Sequence, residues 1–230
     1  MTNVSAPVAV ITGGSHGVGR AIALALARQG YSIALFHSLG GADPAHSALE
    51  LLRTLRPQSI ALPVDVADEQ QVVDAFSRVQ EEFGRVDVVV HGAGFLRLEL
   101  VTELGVDHLD TVLDTVVRGA FLIAREAGRS LGPGGSIVLQ SSAMVGMATP
   151  GSAPYVASKA AVEAITRVLA EELRDRRISV NAIAVGPTES EAAVVGGQAV
   201  ADEDIGELVS FLVGPRGRWL TGQVVGRSAP

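Results

Sequence analysis

The chain contains no cysteine in 230 residues, which excludes disulfides, thiolate catalysis and zinc–sulfur centres. Lysine is nearly absent too: Lys159 is the only one, and the other 17 basic side chains are arginine. Aromatic residues make up 4%, so the core must be aliphatic, and Tyr155 is one of only two tyrosines. No uninterrupted apolar run is long enough to span a bilayer. The opening MTNVSAP lacks the basic and apolar regions of a signal peptide, so a soluble, cytoplasmic protein is expected. Net charge is −7 with acids and bases interspersed, which argues against nucleic acid or an anionic membrane as partner. No metal site is expected.

The 47% of hydrophobic residues fall into a regular alternation. Strand-like runs at 8–12, 31–36, 59–66, 86–90, 134–142 and 178–185 are apolar on both faces, and a short one follows near 222–225. Helical segments are expected at 18–30, 44–56, 68–84, 105–131, 153–175 and 203–213, several closed by glycine or proline. Strands apolar on both faces and separated by helices imply an α/β fold: a single doubly wound parallel sheet of the Rossmann type, one domain over 1–230. The first half of the 153–175 helix is small and apolar on most sides. Two readings stand: a subunit interface, or an alanine-rich helix with ordinary exposure.

TGGSHGVG (12–19) joins the first strand to the first helix. Gly13, Gly17 and Gly19 suit a tight turn that lets backbone amides and the helix N-terminus meet a pyrophosphate. A dinucleotide is the expected ligand, since the glycines follow a strand and open a helix. NAD binders hold the ribose diol with an acid at the end of the second strand. Here that strand ends Leu35-Phe36-His37-Ser38, without one. His16, His37 and Ser38 would instead surround a 2′-phosphate, favouring NADP(H) over NAD(H). Plain surface exposure is the alternative for both histidines. Asp65, at the expected end of the third strand, either accepts from an adenine amino group or caps a turn.

Tyr155 and Lys159 lie four apart on one face of a helix. A phenol ordinarily titrates near pH ~10. A neighbouring ammonium favours phenolate and makes the group a usable acid–base catalyst. That task suits a compact cation on a flexible stem better than arginine's planar fork. Ser141 and Ser142 end the fifth strand, where side chains reach the ligand crevice and a hydroxyl can hydrogen-bond a substrate carbonyl.

Together these motifs resemble the classical short-chain dehydrogenase/reductase family over nearly the whole chain. TGGSHGVG matches TGxxxGxG, Val64-Asp65-Val66 the adenine segment, and Tyr155 with Lys159 the YxxxK pair. Ser142 matches the catalytic serine, and NAIAVGP (181–187) the segment beside the nicotinamide. The resemblance implies nicotinamide-dependent interconversion of a small-molecule carbonyl and alcohol, with Ser142, Tyr155 and Lys159 catalytic. Cofactor contacts are expected from Gly13, Ser15, His16, Gly17, Val18, Gly19, His37 and Ser38. Further contacts are expected from Asp65, Val66, Gly92, Ala93, Gly94, Tyr155, Lys159, Gly186, Pro187 and Thr188. It also implies a homotetramer or homodimer.

The departures are specific. His91-Gly92-Ala93-Gly94 replaces Asn-Asn-Ala-Gly, Val116 stands at the family's helical asparagine, and Val185 replaces a proline. The substrate lid, about 191–201, is short, and the chain ends VVGRSAP instead of in a Gly-Gly tail. Two functions therefore compete: a ketoreductase, and a dinucleotide-binding protein with weak or no redox turnover that acts as a sensor or structural subunit.

Overall fold

Strands that are apolar on both faces must be covered on both, and the chain builds that arrangement. The computed structural model describes residues 6–38, 40, 42–187, 192 and 199–226. Its strands are β1 (Val8–Thr12), β2 (Ser32–His37), β3 (Ile60–Pro63), β4 (Val88–His91), β5 (Ser136–Ser142), β6 (Ser179–Val185) and β7 (Val224–Gly226). All pair in parallel, in the order β3-β2-β1-β4-β5-β6-β7. The order reverses between β1 and β4, so a crevice opens there beyond the carboxyl ends of the strands.

Helices α1 (Gly17–Arg28), α2 (Ala42–Leu55), α3 (Glu69–Phe83), α4 (Val106–Val112), α5 (Gly119–Ser130), α6 (Ala153–Glu172) and α7 (Asp202–Val213) cover the sheet. Alternation along each strand sorts the core into two layers. Ala9, Ile11, Ile33 and Leu35 meet Ile22 and Leu26 of α1, Leu52 of α2 and Val209 of α7. Val8, Val10, Phe36 and Val89 meet Phe76 of α3, Val116, Ile123 of α5 and Val162 of α6. Phe36 and Phe76 stack edge to face, with centroids 5.7 Å apart. Local chemistry sets the ends of α3: the Asp68 carboxylate accepts from the Gln71 amide, and Gly84 closes the helix at φ 71°.

Two elements differ from expectation. The third strand stops at Pro63 rather than continuing to residue 66. The Asp65 carboxylate accepts from the Ala67 amide at 2.9 Å, turning the chain away from the ladder. The expected 105–131 helix is broken by one π-helical turn, Leu113–Arg118, between α4 and α5. The turn ends at Gly119, where a Cβ would lie 2.8 Å from a Val66 methyl, so α5 rides unusually close to the loop after β3. Among the described residues, no helix is long and apolar enough to cross a membrane.

Ile123 is fully buried between α5 and the sheet. Ile123→Ala is expected to lower the unfolding free energy by about 2–5 kcal/mol while far-UV circular dichroism stays native, as urea titration would measure.

Candidate active site

The glycine loop is built by contact as much as by torsion. Gly13 has φ +68°, and a Cβ there would lie 3.0 Å from the Gly92 carbonyl, so the turns after β1 and β4 touch. A Cβ at Gly19 would overlap the Gly13 carbonyl oxygen. His16, in extended conformation, caps α1, whose first turn carries no acid. The positive end of that helix is thus left for an anion.

The loop opens onto a cleft of about 510 Å³. Gly13, Ser15 and His16 line it with His37 and Ser38 after β2, Asp65 and Val66 after β3, and Gly92, Ala93 and Gly94 after β4. Gly17, Val18 and Gly19 form the first turn of α1 behind that lining, and Gly186 and Pro187 follow β6. Thr188 and most of the expected lid lie outside the described residues. The sequence reading missed Phe36, Val64, Phe95 and Thr115, which also line the cleft. Thr115 is carried there by the π turn, which no sequence pattern announced. Asp65 takes part both in the lining and in the turn.

Beyond Gly94 lie the amine and the phenol. A Cβ at Gly94 would be 3.4 Å from both Lys159 Nζ and a Val116 methyl. Lys159 is 3% exposed. Its Nζ donates to the Gln140 carbonyl oxygen at 2.9 Å and sits 5.6 Å from the centre of the Tyr155 ring. Both side chains project from the first two turns of α6. One turn further, Glu163 accepts from Ser141 Oγ at 2.8 Å. Consecutive residues of β5 thus bind successive turns of α6 and fix its register. Next along β5, Ser142 Oγ accepts from the Met144 amide at 3.2 Å and caps a 3₁₀ turn, Ala143–Gly146.

His91, next to Gly92 in the lining, was noted from sequence only as a departure. It is 2% exposed, with Nδ1 2.8 Å from Thr12 Oγ1. That hydroxyl already accepts from the Gly92 and Ala93 amides at 3.1 and 3.3 Å. Its own hydrogen therefore goes to Nδ1, which fixes the proton of the neutral ring on Nε2. Nε2 is buried without a hydrogen-bond partner among the described residues. Burial, reinforced by the nearby Lys159 charge, lowers the His91 pKa to about 3.

The Tyr155–Lys159 pair thus lies next to Gly94, at the edge of the cleft that the glycine loop lines. The family profile described as enoyl-(acyl carrier protein) reductase matches residues 13–226. A short-chain type dehydrogenase/reductase of Picea abies is 35% identical over 95% of this chain and 89% of its own. The 3-oxoacyl-(acyl-carrier-protein) reductase FabG of Staphylococcus epidermidis is 32% identical over 94% and 95%. The crystal structure of a short-chain dehydrogenase from Burkholderia cenocepacia in complex with NADP superposes with a TM-score of 0.92. Its identity is 32%, and the match covers 99% of this chain and 98% of that one. The chain belongs to the short-chain dehydrogenase/reductase family. It is an NAD(P)-dependent oxidoreductase.

Two outcomes follow from the geometry. Gly19→Ala is expected to abolish NADPH binding in calorimetry, since the added methyl overlaps the loop backbone. The second concerns acid stability. Between about pH 6.5 and 3 the unfolded chain protonates position 91 and the folded chain does not. Stability from this group is therefore lost as pH falls, by roughly 1.4 kcal/mol per pH unit. Urea titrations from pH 6.5 to 4 should show a shallower loss for His91→Asn than for the parent, and equal slopes would refute the assignment.

Proposed function

We propose that the protein is a ketoreductase, interconverting a small-molecule carbonyl and a secondary alcohol with NADP(H) favoured over NAD(H). The observation that carries this is the buried Lys159 ammonium, held by the Gln140 carbonyl beside the Tyr155 ring. A cation there stabilises the ionised form of a phenol and suits it to pass a proton near neutral pH. Supporting the reductive sense, relatives include the 3-oxoacyl reductase above and a hydroxynaphthalene reductase of Aspergillus fumigatus, 31% identical over 96% of this chain. Supporting NADP(H), β2 ends without an acid, and the Burkholderia neighbour binds NADP.

The roles divide as follows. Ser142 Oγ accepts from Met144, so its hydrogen remains to be donated to the substrate carbonyl oxygen. Tyr155 gives its proton to the oxygen as negative charge develops there, and Lys159 stabilises the phenolate left behind. When bound, the reduced nicotinamide supplies the hydride, so hydride and proton together convert C=O to CH–OH. Gly13 and the N-terminal amides of α1 bind and orient the cofactor's anionic bridge. Asp65, Val66, Gly92, Ala93 and Gly94 line its cleft; Gly186, Pro187 and Thr188 follow β6 at the same carboxyl edge.

The chain is read as one domain with a shortened lid, working in the cytoplasm as a homodimer or homotetramer. The assembly reading rests on α6, whose outer stripe of Ala153, Ala157, Ala160, Ala164 and Val168 is exposed. Phe121 on α5, 54% exposed, adds to that face. A second reading, a dinucleotide binder with weak or no turnover, is favoured by Val116, which places a methyl and no hydrogen-bonding group beside Lys159.

NADPH oxidation against ketones and 3-oxoacyl thioesters separates the two. Tyr155→Phe is expected to lower kcat by about 10²–10⁴ while NADPH affinity stays within a few-fold. Tight cofactor binding without turnover on any compound, unchanged in Tyr155→Phe, would establish the binder instead.

A further inference from the structure

The cofactor cleft has an unusual charge inventory. Among the described residues lining it there is no arginine or lysine, and its only basic groups are His16 and His37. The two imidazoles differ in how they are held. His16 Nδ1 lies 2.9 Å from Ser15 Oγ, a hydroxyl that both donates and accepts, so its tautomer is free. His37 Nδ1 lies 2.9 Å from the Ser38 carbonyl oxygen. A carbonyl only accepts, so Nδ1 must carry the proton.

That bond decides what His37 offers to a ligand. In the neutral ring Nε2 is a lone pair, and it forms no hydrogen bond with any described residue. A lone pair at the end of β2 can accept from a ribose hydroxyl, the task a carboxylate performs in NAD binders. It offers nothing to a phosphate except repulsion. When the ring is protonated, the same atom becomes a charged donor, which binds an anionic phosphate oxygen more strongly than a neutral hydroxyl oxygen. Nδ1 keeps its bond to Ser38 in both states, so the ring need not move.

We propose that His37 selects between the two nicotinamide dinucleotides by its protonation state. Neutral, it accepts from the adenosine ribose diol of NAD(H); protonated, it donates to the 2′-phosphate of NADP(H). The inference rests on the chain being a dinucleotide-dependent oxidoreductase, and it makes the NADP(H) preference a property of acidic rather than alkaline solution. Histidine is the side chain whose charge changes across that range. The other titratable groups facing it are His16, at the cap of α1, and Asp65, whose carboxylate is engaged by the Ala67 amide. β1 and β3 bring no titratable side chain to this end of the sheet. On α2, His46 and Glu50 pair with each other in solvent, 3.3 Å apart.

The test is binding, not turnover. Dissociation constants for NADPH and NADH are measured by calorimetry on the full chain from pH 5.5 to 8.5. The ratio of NADH to NADPH constants should fall by about tenfold or more with rising pH, the worth of one charge-assisted hydrogen bond. The 2′-phosphate itself gains charge over this range, so the reading is the difference between the parent and His37→Gln. The variant should keep only the phosphate's own pH dependence, and His37→Asp should favour NADH throughout. Equal pH profiles in the parent and His37→Gln would overturn the proposal. So would loss of the dependence in His16→Asn but not in His37→Gln. If neither dinucleotide binds the parent, the oxidoreductase reading falls with it; if both bind at a constant ratio, only the selector falls.

Discussion

One hydrogen bond organises the crevice: the Lys159 ammonium on the Gln140 carbonyl oxygen. A buried cation is tolerable only when its donors are matched, and a backbone carbonyl on β5 is an acceptor held in place by the sheet. Accepting that constraint ties α6 to β5, and the Glu163–Ser141 bond one turn on repeats the tie. The backbone positions of Tyr155 and Ser142 follow from this, because each lies within one turn or one residue of an anchored neighbour. Burial keeps His91 neutral and the same charge adds to it, so the amine acts on the electrostatics of the neighbouring strand as well as its own helix.

Among the described residues no arginine is buried, so Lys159 is their one internal basic cation. Arg85 clasps Asp87, and Arg125 and Arg129 converge on the buried carboxylate of Glu126. Arginine's bidentate fork suits these fixed carboxylate partners. The described crevice lining lacks it and uses backbone amides, hydroxyls and imidazoles in its place. Such groups change character with protonation or rotation, whereas a guanidinium does not, and this gives the cofactor cleft an adjustable rather than a permanent field.

Much of this was legible in the sequence because it is local. β1, β5 and β6 announce themselves as apolar runs, and Gly84 and Asp68 mark the ends of α3 through torsion and capping. The glycine loop and the Tyr155–Lys159 spacing depend on neighbours within one turn, so the residues that meet at the crevice could be named in advance. What was hidden is what depends on distant partners. LDTVVR at 113–118 is compatible with an ordinary α-helix, and the π turn there sits beside the approach of Gly119 to Val66, a contact distant in sequence. Asp65 looks like a strand end until its carboxylate turns back on Ala67. The tautomer of His91 is set by Thr12, and its neutrality by burial among distant elements with Lys159 adding to it.

The π turn has a consequence for how α4 and α5 relate. Each α-helical residue advances about 100° around the axis, so one extra residue in a turn re-phases everything after it. On both sides of the turn the helices face one layer of core: Val112, Val116, Ala120 and Ile123 pack in the same cluster. Excising one codon from this segment would straighten the rod and swing the whole of α5 by a quarter turn or more. Phe121 would rotate off its outer face, and Gly119 would leave its close approach to Val66 in the loop after β3.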